Sequence, residues 1–131
     1  MTNPTPMQEP DTHGAPLREY TDPAYQPLCA DLAEVRANID RLDDEIVRLI
    51  AERAMYVKDA ARFKRDAFQV SAPARQAQVF DKARALATRH NRGFDNLEQV
   101  VDTTYRAMVA AFIANEQTYF NTMKNVGDTH D

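Results

Sequence analysis

Cysteine occurs once in this chain, at Cys29, which excludes an internal disulfide and any cysteine-based metal cluster. The three histidines are dispersed without ligand spacing, so no metal site is expected, and no Ser/His/Asp or Cys/His set suggests a covalent nucleophile. No apolar run approaches the roughly 20 residues needed to span a bilayer. The N-terminus lacks a basic start, an apolar stretch and a small-residue cleavage site, so it does not read as a secretory signal, and cytoplasmic residence is the expectation. An excess of positive charge is missing too. Residues 1–30 carry a net −3, residues 31–120 balance 14 basic against 14 acidic side chains, and the isoelectric point is near 5.3. A reader of phosphate backbones needs a basic face, so nucleic acid is not an expected partner. Nothing alternates with period two, and there is no internal repeat or low-complexity run. The fold class is therefore all-α.

Six of the seven prolines fall within the first 27 residues, among many polar side chains. Such a stretch buries too little surface to order itself, so residues 1–28 read as a flexible or surface-draped extension. The domain proper is expected over 29–123, followed by a tail over 124–131. Between residues 31 and 120 only Pro73 and Gly93 punctuate the pattern, each where a helix boundary is wanted.

Three helices follow. In the first, Leu32, Val35, Ile39, Leu42, Ile46 and Leu49 recur at steps of three and four, the mark of one long buried face. The pattern predicts an unbroken helix from about Asp31 to Phe68. The second helix is expected from about 72 to 90, with Ser71 and Pro73 as a capped start and Asn91, Arg92 and Gly93 as a left-handed end. In the third, Asp95 and Glu98 read as a capping box ahead of Leu97, Val101, Tyr105, Met108, Phe112, Tyr119 and Phe120. A first helix of this length spans roughly 50 Å at 1.5 Å per residue, more than two shorter helices of one chain can cover. A partner chain is expected on its apolar face, most simply in a two-fold homodimer whose long first helices pack together.

The apolar seam of the first helix is interrupted by Arg53, after which it resumes through Tyr56, Val57, Ala60 and Phe63. A cation at a core position costs several kcal/mol, roughly, unless paired, so something anionic should meet it, either a protein carboxylate or a ligand. Arg36 and Lys64 lie at the edge of the same stripe. In one continuous helix Arg53 and Lys64 fall about 16 Å apart on similar sides, able to flank a small ligand, whereas Arg36 is about 42 Å from Lys64 and reaches such a site only from the partner. The result is a cationic pocket between helices, suited to a small dianion. Arg75 and Gln76, in the first turn of helix two, read singly as surface residues. Gln117, one turn after Ile113, is equally readable as a core glutamine or a ligand contact.

The segments CADLAEVRANIDRLDDEIVRLIAER, YVKDAARFK, APARQ and FIANEQTYF together resemble the all-helical chorismate mutases and, more closely, their relatives the isochorismate pyruvate-lyases of salicylate and siderophore synthesis. The resemblance covers about residues 29–120. It implies an intertwined homodimer in which Arg36 is given to the neighbouring subunit's site and Arg53 binds a carboxylate. Lys64 then contacts carboxylate and ether oxygen, Arg75 serves as the turn arginine, and Gln117 meets the ether oxygen with Glu116 adjacent. The implied substrate is chorismate or isochorismate, rearranged to prephenate or split to salicylate and pyruvate without a cofactor. Gln76 stands where typical mutases place a glutamate, and with Ile113 and ARFK it leans towards the lyase branch, leaving the two reactions evenly weighted. The competing class is a non-catalytic helical dimer acting as a regulatory or interaction module. The convergence of Arg36, Arg53, Lys64 and Arg75 argues against it, because a scaffold has no use for converging cations.

Overall fold

The computed structural model describes residues 7–127. Its elements are α1 (Leu32–Ala60), a 3-10 turn (Ala61–Phe63), α2 (Ala67–Ser71), α3 (Pro73–His90) and α4 (Leu97–Thr122). Among the described residues there is no strand, and the three principal helices with a long first one match the all-α expectation. The chain divides into two compact units, Met1–Ile50 and Ala51–Asp131.

In the first unit, residues 7–31 form neither helix nor strand. This part of the expected extension is tied to α1 by one backbone bond, from the Ala33 N–H to the Thr12 carbonyl at 2.9 Å. The helix start is built by its own side chains. Asp31 Oδ1 accepts from the Glu34 N–H at 2.9 Å, and Glu34 Oε2 accepts from the Ala30 N–H at 3.1 Å, a reciprocal arrangement that satisfies otherwise orphaned donors. None of the 29 residues of α1 is buried. Ile39, Ile46 and Leu49, at the centre of the apolar seam, stay 51–52% exposed.

The second unit holds the core: Ala61, Val70, Phe80, Ala83, Ala87 and Val109 are buried. Ala83 and Ala87, one turn apart on α3, let that helix approach α4 closely. Charge reinforces the pair. Arg84 reaches Asp102 at 2.7 Å and also pairs with Asp81, while Arg106 binds the other Asp102 oxygen at 2.8 Å and stacks on Phe80 with 4.5 Å from guanidinium carbon to ring centroid. The hydrogen bond from Arg106 foremost, then that from Arg84, holds the Asp102 carboxyl below its ordinary value of 3.8, against the opposing effect of partial burial. A carboxyl held below its unfolded value stabilises the fold above that value and ceases to do so as pH falls through the folded one. Asp102→Asn is therefore expected to lower the Tm near neutrality. The gap from the parent should close as pH is taken from about 5 to about 2, and a gap constant over that range would contradict the assignment.

Several boundaries depart from the sequence expectation. The first helix ends at Ala60 rather than continuing to 65–68, and Lys64 is extended, with φ −100° and ψ 139°. The break needs no glycine or proline because Asp66 starts a new helix, its Oδ1 accepting from the Gln69 N–H at 2.9 Å, and a local side-chain cap competes with helix continuation. Phe63, assigned to the buried stripe, is exposed as a result, while Ala61 is buried at 1% exposure. Ser71 does not cap the next helix: it ends α2, and Ala72 forms the junction in the left-handed region at φ 45°, with Pro73 first in α3 as expected. The Asp95 and Glu98 capping box is not formed. Asn96 precedes α4 with φ 59°, and Glu98 instead accepts from the Thr88 hydroxyl at 3.1 Å, joining α4 to α3. After His90 the chain leaves α3 through an extended Asn91, whose side-chain oxygen accepts from the Gly93 and Phe94 N–H groups, and the positive φ of 99° falls at Gly93. Of the expected tail, residues 128–131 lie outside the described residues, as do residues 1–6 of the expected extension.

Candidate active site

A cavity of about 300 Å³ opens within the second unit, walled by the end of α1, Lys64, α2, the start of α3 and the middle of α4. Arg53, Lys64, Arg75 and Gln76 all line it. Each arrives by a different local route. Arg53 comes from α1 with Tyr56, Val57 and Ala60 on the same face. Arg75 and Gln76 stand in the first turn of α3, oriented by the left-handed Ala72 and by Pro73. Lys64 belongs to no helix, so its approach to the cavity follows from the break after Ala60 and not from a three-turn helical spacing.

Arg53 is half-buried and forms no ion pair among the described residues. Its guanidinium carbon lies 5.4 Å from the centroid of Phe112 on α4, a cation–π contact that supports the cation without neutralising it. The anion expected to meet Arg53 is therefore not supplied by a described carboxylate. Lys64 Nζ donates to the Gln69 carbonyl at 3.1 Å and lies 3.3 Å from Glu116 Oε2. Glu116 is 5% exposed, and this oxygen accepts no hydrogen bond of good geometry from the described residues. That oxygen is buried in the cavity wall against the Lys64 ammonium. The Gln76 amide donates to the Ser71 carbonyl at 2.6 Å, and the Arg75 guanidinium approaches Gln78 Oε1 at 3.5 Å. Val70, Val79, Val109, Phe112 and Ile113 supply the apolar wall.

Two expected site residues do not line this cavity, Arg36 having been expected only at a neighbouring subunit's site. Arg36 is exposed in the first unit and does not line the cavity. Gln117 is not in the lining either, and its amide donates to the Ala67 carbonyl at 2.9 Å. Glu116 takes the inward position because Val109, Phe112 and Glu116 fall on one stripe of α4 at intervals of three and four. That stripe was present in the sequence, but Ile113 and Gln117 form a parallel one, and spacing alone does not choose between them. The Phe112 platform under Arg53 and the wall given by α2 had no sequence signal beyond the apolar character of their residues.

Three cations around one carboxyl leave the cavity with surplus positive charge, fitted to a ligand bearing two negative groups. Among the described residues no three His, Cys, Asp or Glu side chains are grouped to hold a metal, and no described helix is long and apolar enough to cross a membrane. Comparison with known proteins points the same way. The chain is 39% identical over 61 residues to a chorismate mutase of Methanocaldococcus jannaschii, which is 46% of this chain and 62% of that protein. It is 34% identical over 92 residues to the isochorismate pyruvate lyase of Pseudomonas aeruginosa, covering 70% of this chain and 87% of the lyase. With the bifunctional chorismate mutase/prephenate dehydratase of Aquifex aeolicus it shares 33% identity over 88 residues, spanning 24% of that longer protein. Residues 35–117 match the family profile described as chorismate mutase type II, which takes in Arg53, Lys64, Arg75, Gln76 and Glu116, and the chain belongs to that family.

Proposed function

We propose that the protein is a cofactor-independent pericyclic enzyme that binds chorismate or isochorismate in the cavity and converts chorismate to prephenate. The observation that carries this reading is the set of Arg53, Lys64 and Arg75 around a cavity of about 300 Å³, the lower end of ordinary small-molecule sites. Both substrates bear two carboxylates and an enolpyruvyl ether. Arginines gripping the carboxylates hold the side chain over the ring, which supplies the orientation that a concerted rearrangement needs. As the C–O bond breaks, negative charge grows on the ether oxygen, and donors there bind the transition state more tightly than the ground state. Lys64 is one such donor. Glu116 Oε2, 3.3 Å from it, holds the ammonium against the cavity wall.

Isochorismate pyruvate-lyase activity is the second reading, favoured by the alignment with 87% of the Pseudomonas lyase and by Gln76. The same carboxylate grip and the same donors at the ether oxygen serve both reactions. For assembly we infer a homodimer. The seam of Val35, Ile39, Leu42, Ile46 and Leu49 is left between about one third and one half exposed, and completing its burial stabilises by about 1 kcal/mol per side chain. Two copies joined along α1 also allow Arg36 of one to enter the other's cavity, as the family resemblance implies. The test is direct incubation of purified protein with each substrate, following prephenate in one case and salicylate with pyruvate in the other. Consumption of chorismate supports the mutase, consumption of isochorismate the lyase, and consumption of neither leaves the non-catalytic dimer as the better reading.

A further inference from the structure

A second cavity, of about 670 Å³, lies in the second unit beside the turn that follows α1 and the segment that follows α4. Among the described residues its wall holds three cations, Arg62, Lys64 and Lys124, and no carboxylate, together with Phe63, Phe120 and Val126. Phe63 is 75% exposed, with the Arg62 guanidinium carbon 5.5 Å from its ring centroid. Lys64 lines this cavity as well as the one assigned to the substrate. An apolar surface set among cations fits an apolar occupant that carries acidic groups.

The chain holds a segment of that description. The Thr12 carbonyl accepts from the Ala33 N–H at 2.9 Å, so residues 13–31 form a loop that both opens and closes at the start of α1. Within it, Asp22 Oδ1 accepts from the Ala24 N–H at 2.9 Å and the Asp22 carbonyl from the Tyr25 N–H at 3.2 Å. This turn around Pro23 stands the Tyr25 ring 4.5 Å from that of Tyr20, centroid to centroid. Tyr20 is 74% and Leu28 80% exposed, so the loop presents apolar side chains that its own chain leaves uncovered. Over residues 7–30, Glu9, Asp11, Glu19 and Asp22 outweigh Arg18.

The loop is too short to serve its own chain. The 29 residues of α1, about 43 Å of helix, separate it from Ala61, whereas Leu28 stands four residues before Leu32 and reaches at most about 14 Å from it. A second copy removes that distance. Pairing two α1 helices so that Arg36, near the start of one, meets the substrate cavity beside the end of the other makes them antiparallel, and the start of each then lies beside residues 61–64 of the other. We propose that the loop over residues 13–31 of one copy docks on the 670 Å³ cavity of the other, seating the Tyr20 and Tyr25 pair and Leu28 against Phe63 and Phe120, with Glu19 and Asp22 facing Arg62 and Lys124. The docked loop takes water from one side of Lys64. This rests on the homodimer inferred above and on no particular reaction.

The test places a nitroxide on one copy and reads the other. Full-length Thr21→Cys in a Cys29→Ser background carries the label, and it is mixed with a ¹⁵N-labelled Cys29→Ser copy at a concentration where sedimentation shows dimers. Amide signals of Phe63, Lys64 and residues 124–126 of the ¹⁵N copy are expected to broaden, and to recover when the nitroxide is reduced. Tyr25→Ser with Leu28→Ser should raise the dimer Kd about 10- to 100-fold, because each dimer loses the contact twice. In a Phe63→Ser background the same pair of changes should add less than about twofold, since the partner surface is already gone. Dimers present without broadening at those amides overturn the docking while leaving the homodimer intact, and so does an equal rise in Kd in both backgrounds. A chain that sediments only as a monomer removes the homodimer and the docking together.

Discussion

Lys64→Ala is expected to lower kcat for the turned-over substrate by about 10² to 10³-fold, the loss typical of removing one preorganised donor from developing negative charge. The ammonium is held by the Gln69 carbonyl and Glu116, so it is in place before the ligand arrives and needs little reorganisation during the reaction. Its removal takes away an interaction that strengthens as the C–O bond breaks, so kcat and kcat/KM should fall together. A second consequence follows from burial. Without Lys64, Glu116 has no cation at ion-pair distance among the described residues, and a buried carboxylate left unpaired is costly. Lys64→Ala with Glu116→Gln should therefore be no less stable to heat than Lys64→Ala alone. Turnover within about tenfold of the parent, measured at saturating substrate, would count against the role of Lys64.

Arg53→Ala is expected to cost about 10² to 10³-fold in kcat/KM, roughly 3 to 4 kcal/mol, through loss of a charge-assisted, two-pronged grip on a carboxylate. Arg53 stacks on Phe112 and has no carboxylate partner among the described residues, so its truncation leaves no protein group unpaired. The Tm should then stay level or rise, in contrast to the usual cost of breaking a buried pair. Arg53→Lys is not expected to restore the rate, because an ammonium offers neither the planar fork nor the stacking surface of a guanidinium. A variant that loses stability in step with activity would mark Arg53 as a structural cation, while a kcat/KM near the parent's would remove it from the site.

Arg53 was the most legible residue in the sequence because it stands where the period of α1 demands an apolar side chain. An ordered charge at such a place implies a counter-charge, and the cavity beside it offers room for one. The all-α class and the bounds of α3 were likewise readable from periodicity and from Pro73. The break after Ala60 was not. Asp66 followed three residues later by Gln69 is a weak local signal inside a stretch of good helix formers, and it prevails because Ala61 and Val70 are each buried to 1% exposure on either side of it. Lys64 thus lines the cavity from a position off the helix on which its spacing had been counted. The inward register of α4 was ambiguous between two adjacent stripes, and packing, which sequence spacing does not contain, turned Glu116 inward and gave Gln117 to Ala67.

The central claim is that one chain's cavity and the Arg36 of another together grip a doubly anionic substrate, and mixed dimers test it most directly. Arg36→Ala and Arg53→Ala, each nearly inactive alone, are to be unfolded together, refolded and assayed against the separately refolded variants. Random pairing in a two-fold dimer gives about half heterodimers, each with one site carrying both arginines and one carrying neither, so about a quarter of parental activity should return. Recovery near that value is the predicted result; a mixture no more active than its two components, with heterodimers shown to be present, would contradict the shared site.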